Sequence, residues 1–140
     1  MQNQSYPHEV LPDPSGRFIL VPDLGTDTVR IFAIAKHLIM GPIQNELLIR
    51  EPLKLAPGTG PRHGEFAVVG NETYFYIAGQ ISNMIHQYQV IYSRDGKIEF
   101  KPIGVVDTRV RLDGSVIDAP DGTSGLHDSE VQISVRHLSL

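Results

Sequence analysis

The chain contains one sequence pattern twice, and this repeat limits the folds that it can adopt. In the first copy, His8 precedes a Pro- and Gly-rich turn at 12–16, an apolar run at 18–21, a turn at 25–27 and an alternating run at 28–34. The second copy has His63, an apolar run at 73–77, a turn at 82–83 and an alternating run at 85–90. The two histidines are 55 positions apart (63 − 8). Short runs of this kind indicate strands, and their repetition at this period is typical of β-propeller blades.

We therefore predict an all-β fold: a β-propeller fragment with about two four-stranded blades plus the first strand of a third. The first blade is placed at residues 6–55 and the second at 60–107. Residues 31–40 are predicted as a strand followed by a loop, because β-branched and aromatic residues open the segment and Gly41-Pro42 ends it. Residues 45–55 and 98–106 are predicted outer strands, residues 108–128 a loop, and 129–134 the start of the next blade.

A small β-sandwich of about seven strands also fits a chain of 140 residues, but it does not explain the repeat. Two four-stranded sheets and one further strand do not close a ring, so an apolar sheet face would stay open. We therefore expect the chain to correspond to part of a larger propeller, and to self-associate through its open blade faces.

The composition narrows the possible settings and partners. With 41% hydrophobic and 20% charged residues the chain is globular rather than disordered. Its net charge of −4 offers no basic face for nucleic acid or an anionic membrane, and no apolar stretch approaches the ~20 residues that a membrane helix needs. Without cysteines there are no disulfides or thiolate metal sites. Because the N-terminus also lacks a signal-peptide pattern, a cytoplasmic protein is predicted.

Five short motifs, in register over residues 6–134, together resemble one known family. They are HEVLPDPSGRF (8–18), VPDLGTD (21–27), GTGPRH (58–63), ISN (81–83) and SEVQIS (129–134). These motifs are similar to those of the seven-bladed β-propeller lactonases, which include bacterial-type 6-phosphogluconolactonase and fungal carboxy-cis,cis-muconate cycloisomerase. The resemblance implies a site at one mouth of a central channel, and hydrolysis of a phosphorylated or carboxylated sugar lactone in carbohydrate metabolism. Cycloisomerisation of a muconate-type carboxylate is the alternative reaction.

The resemblance also implies which residues carry the chemistry. It places His8 and Arg62 at catalytic or substrate-binding positions, with His63 in support. A histidine with a pKa near 6.5 can take a proton from water at neutral pH, and an arginine fork suits a phosphate, a carboxylate or a developing oxyanion. Gln80 and Glu130 are predicted to contact substrate; Gln80 stands where the family usually has a glutamate.

Each of these residues also has a structural interpretation. His8 can cap a strand, and Arg62-His63 can tie the loop at 56–61 to the sheet. Gln80 cannot act as an acid or base, and the arginine that the resemblance implies after the second strand of a third blade is missing from the 140 residues, so the chain on its own is expected to be inactive. A non-catalytic propeller remnant that binds a ligand or partner is therefore a further alternative. Because the sequence lacks HExxH, EF-hand and phosphate-loop motifs, we expect no metal and no cofactor.

Overall fold

The computed structural model describes residues 4–37, 44–110 and 114–115, and within these ranges the regular structure consists of β-strands. In chain order these are β1 (Leu11–Pro12), β2 (Phe18–Asp23), β3 (Thr28–His37), β4 (Gln44–Lys54), β5 (Pro61–Val69), β6 (Glu72–Gly79), β7 (Met84–Tyr92) and β8 (Ile98–Asp107). They form two four-stranded antiparallel meanders, β1-β2-β3-β4 (the first sheet) and β5-β6-β7-β8 (the second sheet). The part of the chain that the structure describes contains no helix suited to spanning a membrane.

Tight turns join the strands because the chain supplies residues that suit them. Between β1 and β2, the buried carboxylate of Asp13 accepts hydrogen bonds from the amides of Arg17 (2.9 Å) and Phe18 (2.7 Å). Asp27 (φ 52°) and Asn83 (φ 57°) complete the β2–β3 and β6–β7 turns in the left-handed region, which Asp and Asn tolerate better than most residues. The predicted turns at 12–16, 25–27 and 82–83 are confirmed.

The two sheets share one hydrophobic core, to which each contributes alternate positions of its strands. Because side chains alternate along a strand, burying one face fixes the register of every pairing. The rings of Phe18 and Tyr92 stack across the boundary at 6.4 Å, and the guanidinium carbon of Arg17 lies 5.0 Å from the Tyr92 ring centre. The buried members of this core are Phe18, Leu20, Val29, Ile31, Ala33, Phe75, Ile77, Tyr88 and Val90.

The innermost strands of the two sheets approach each other at Gly64. A Cβ atom built on this glycine would lie 2.8 Å from Cε2 of Phe75 and 3.0 Å from Cδ1 of Leu11, which belongs to the first sheet. A side chain therefore does not fit there without displacing its neighbours. The close approach brings the beginnings of the two repeats together.

The structure confirms the predicted all-β repeat. Residues 55 positions apart occupy equivalent places in the two sheets. The strands β6, β7 and β8 begin close to 55 positions after β2, β3 and β4, respectively. The inner strands differ, since β1 has two residues and β5 has nine. His63 therefore lies within a strand, whereas His8 lies in an extended segment before β1. The predicted strand at 129–134, with Glu130, and most of the loop at 108–128 lie outside the described residues.

Candidate active site

The segment that carries His8 is hydrogen-bonded to the C-terminal end of β2. The carboxylate of Asp23 is fully buried and accepts hydrogen bonds from the Tyr6 amide (2.7 Å) and from Nη2 of Arg30 (2.5 Å). Burial raises the pKa of Asp23, but the hydrogen bonds and the charge of Arg30 outweigh it and lower the pKa. The His8 amide then donates to the carbonyl of Pro22 at 3.1 Å. These contacts hold His8 at the edge of the first sheet without a regular strand.

Arg62 occupies a β-bulge near the beginning of β5. Pro61 pairs with Gly79 and His63 with Ala78, so Arg62 is the extra residue between two paired positions. A bulge bends its strand and re-aims the side chains beside it, and bulges are common next to active sites.

The loop before Arg62 is held by the first sheet. The carboxylate of Asp27 accepts hydrogen bonds from the amides of Gly58 (2.9 Å) and Gly60 (2.7 Å). The backbone amide of Gln80, the residue that follows β6, in turn donates a hydrogen bond to the carbonyl of Gly60 at 2.8 Å. Asp27 thus completes the predicted turn at 25–27, and its carboxylate also connects the two sheets next to the candidate site.

The imidazoles of the two repeats lie together at the boundary between the sheets. The ring centres of His8 and His63 are 6.5 Å apart, with the planes inclined by 53°. Partial burial, the positive charge of Arg62 and the neighbouring His63 together lower the pKa of His8 below its ordinary value of 6.5. His8 is therefore neutral at pH 7 and able to accept a proton. The ring of Tyr6 lies 5.2 Å from that of His8 and is 55% exposed.

Glu9, which was not among the predicted site residues, also belongs to this cluster. Its Oε2 accepts a hydrogen bond from the Gly64 amide (2.8 Å), and its Oε1 lies 3.7 Å from Nδ1 of His63. The repeat contained a signal for the first contact, because Glu9 and Gly64 are equivalent positions and adjacent blades bring such positions together. This signal is hard to see in the sequence, because the equivalent positions hold different residue types, glutamate in the first copy and glycine in the second.

The structure brings together three of the five predicted site residues, namely His8, Arg62 and His63. Gln80 lies next to the same loop through its backbone, and a contact of its amide group with substrate stays a prediction. Glu130 lies outside the described residues, so its predicted role is likewise open. In the described part of the chain, no three His, Asp or Glu side chains form a group that could hold a metal ion.

Similar proteins point to one family. A protein of Arthroderma benhamiae named "Probable 6-phosphogluconolactonase" is 34% identical over 93 residues, which are 66% of this chain and 22% of that protein. The 6-phosphogluconolactonase of Yersinia enterocolitica is 30% identical over 102 residues, covering 72% of this chain and 27% of the relative. A crystal structure of a Lactobacillus plantarum protein superposes with a TM-score of 0.59 at 26% identity, over 81% of this chain and 29% of that one.

The chain thus spans roughly a quarter of the length of these relatives. The sequence profile described as "Lactonase, 7-bladed beta-propeller" matches residues 1–134, almost the whole chain. This match agrees with the repeat, with the two four-stranded sheets and with the clustered histidines, and it argues against the β-sandwich alternative. The chain belongs to the seven-bladed β-propeller lactonase family.

Proposed function

We propose that this chain forms part of a lactonase site that acts on a phosphorylated or carboxylated sugar lactone, as a 6-phosphogluconolactonase does. One observation carries the proposal: two adjacent sheets of a lactonase-family chain place His8 and His63 together, and Arg62 is near enough for its charge to lower the pKa of His8. A neutral imidazole beside a fixed positive charge suits attack on an anionic ester.

His8 acts as the general base in the proposed reaction. It takes a proton from water while the water oxygen bonds to the lactone carbonyl carbon, whose oxygen becomes an oxyanion. The ring C–O bond then breaks, and the leaving oxygen receives the proton from the His8 imidazolium. The product is an open-chain hydroxy acid. Arg62 binds the phosphate or carboxylate of the substrate, or the oxyanion, through its planar fork.

Ligand binding and turnover test this proposal separately. We expect the purified chain to bind a phosphorylated sugar acid, the reaction product, more tightly than its neutral analogue, and Arg62→Ala to remove this difference. Any turnover of the phosphorylated lactone should fall by about 10²- to 10⁴-fold in His8→Ala, because a general base contributes this much. Equal binding of the charged and neutral compounds, or turnover that survives both substitutions, would overturn the assignment.

A second candidate is a ligand-binding propeller unit without turnover. Gln80 favours this second candidate. It stands where the family usually has a glutamate, and its side-chain amide does not exchange protons near neutral pH as a carboxylate can. Binding that depends on Arg62 together with absent turnover would support this candidate, and restored turnover in Gln80→Glu would favour the lactonase. Formation of a cyclised product from a carboxylated muconate would instead identify the cycloisomerase reaction.

The cytosol is the proposed location, supported by a sequence without cysteine. Fractionation of cells that express the tagged chain tests this location, and recovery from the periplasm would contradict it.

We also propose that the chain self-associates through open blade faces. Several apolar side chains of the outer strands are half-exposed or more, including Ile49 (79%), Ile103 (55%) and Val105 (57%). Sedimentation velocity should show mass that rises with concentration, and Ile103→Lys should reduce it; a monomer at every concentration would contradict the idea.

A further inference from the structure

Glu9 bridges the two sheets at the candidate site and makes two different contacts. Its Oε2 accepts a hydrogen bond from the Gly64 amide at 2.8 Å, which fixes the carboxylate across the boundary between the sheets. Its Oε1 is then 3.7 Å from Nδ1 of His63, an ion-pair distance rather than a hydrogen bond. The side chains of Glu9 and His63 are each 28% exposed, so most of their surroundings are protein. The carboxylate therefore faces one particular nitrogen of the ring.

A carboxylate has only acceptor atoms, so it favours a proton on the nitrogen that faces it. At 3.7 Å the attraction is electrostatic, and it favours the tautomer whose N–H dipole points at the negative charge of Glu9. With Nδ1 protonated toward Glu9, Nε2 of neutral His63 carries a lone pair and serves as an acceptor. In water, a free histidine side chain prefers the opposite tautomer, with the proton on Nε2. The Glu9 contact thus predicts that His63 carries its proton on Nδ1 rather than on Nε2.

We propose that Glu9 is a positioning residue that fixes the orientation and tautomer of His63, so that Nε2 of His63 accepts a hydrogen bond from a hydroxyl of the ligand. This inference rests on the proposed function. It also specifies the substrate class, because an acceptor nitrogen suits the hydroxyl of a sugar lactone and does not suit a carboxylate. His63 therefore supports recognition of a polyhydroxylated lactone, while His8 remains the base.

Glu9→Gln separates positioning from a purely structural role. The amide oxygen of the glutamine can still accept the hydrogen bond from the Gly64 amide, so the connection between the sheets is kept. Its NH₂ group then faces Nδ1 of His63 as a donor, and this favours the tautomer with the proton on Nε2. The matched control is Glu99→Gln, which removes a carboxylate from an exposed position on β8.

The test is long-range ¹H–¹⁵N NMR of the histidine ring nitrogens at pH 8, without substrate, with His63→Gln as the assignment variant. We expect Nδ1–H in the wild-type chain and in Glu99→Gln, and Nε2–H in Glu9→Gln with an unchanged melting temperature. Turnover or binding of a phosphorylated sugar lactone should weaken by about tenfold or more in Glu9→Gln, the direction seen when the carboxylate partner of a catalytic histidine becomes an amide.

The wild-type spectrum alone can overturn the inference, even if Glu9→Gln does not fold: a proton on Nε2 of His63 would contradict it. A tautomer that does not change in a folded Glu9→Gln chain would do the same. Failure of the proposed function has a different signature, namely a wild-type chain that neither binds nor hydrolyses the phosphorylated lactone although the NMR results are as expected.

Discussion

Gly64→Ala tests directly how closely the inner strands of the two sheets approach each other. The added methyl group would lie 2.8 Å from Cε2 and 2.9 Å from Cζ of Phe75, and 3.0 Å from Cδ1 of Leu11. Phe75 is fully buried and contacts Phe66 and Phe100, so its ring has little room to move. The clash therefore involves packed atoms of both sheets.

The expected cost follows from two opposing effects. Overpacking of a well-packed core costs about 1–3 kcal/mol. Replacing a strand glycine by alanine returns about 0.5–1 kcal/mol through the unfolded chain's lower entropy. The difference between the two terms is about 0–2.5 kcal/mol, so the free energy of unfolding should fall by about 1 kcal/mol in Gly64→Ala. For a chain of this size, the melting temperature should drop by roughly 4 °C per kcal/mol.

Gly104→Ala is the matched control, because this glycine also lies in a strand. A Cβ atom there would meet only Oε1 of Gln87, at 3.8 Å. The control should be as stable as the wild type or more stable by about 0.5–1 kcal/mol. Urea unfolding followed by circular dichroism measures both variants. Equal stability of Gly64→Ala and Gly104→Ala would refute the close packing of the two sheets at Gly64.

Two further predictions concern stability. The buried Nε2 of His86 has no hydrogen-bond partner within the part of the chain that the structure describes, and burial lowers the pKa of this histidine. Below about pH 6.5, His86 binds a proton more readily in the unfolded chain than in the folded one, so the melting temperature should fall from pH 7 to pH 5. His86→Leu should reduce this fall and raise the free energy of unfolding by about 1 kcal/mol at pH 7. An equal pH dependence of the melting temperature in both proteins would contradict this. Asp27→Ala should cost about 2–3 kcal/mol in urea unfolding, because it removes two hydrogen bonds and places alanine at φ 52°. Asp27→Asn, which tolerates this φ and keeps one acceptor, should cost about 1 kcal/mol; equal costs would contradict the role of the bidentate contact.

Much of the fold was predictable because its signals are local. Alternating apolar residues, Pro-Gly turns and Asx residues at positive φ are properties of short segments, and the repeat assembled these segments into two equivalent sheets. The unequal inner strands were not predictable in this way. β1 is short because residues 5–8 meet the end of β2 through one isolated antiparallel bridge, Pro7 to Asp23, and through the buried carboxylate of Asp23, rather than through a continuous ladder.

The candidate site shows the same division between local and non-local information. His8 and His63 were found because both copies of the repeat contain them. The bulge at Arg62 depends on the register between β5 and β6, which no short segment encodes. Glu9 was missed because its partners, Gly64 and His63, belong to the next sheet, so its role appears only when the repeats are placed side by side.

The central claim is that adjacent sheets bring His8 beside Arg62 and His63. NMR titration of the His8 ring protons in the wild-type chain, Arg62→Gln and His63→Gln tests it most directly. The wild-type pKa of His8 should lie below 6.5, and each substitution should raise it, because both neighbours act to lower it. A pKa of His8 that neither substitution changes would contradict the account.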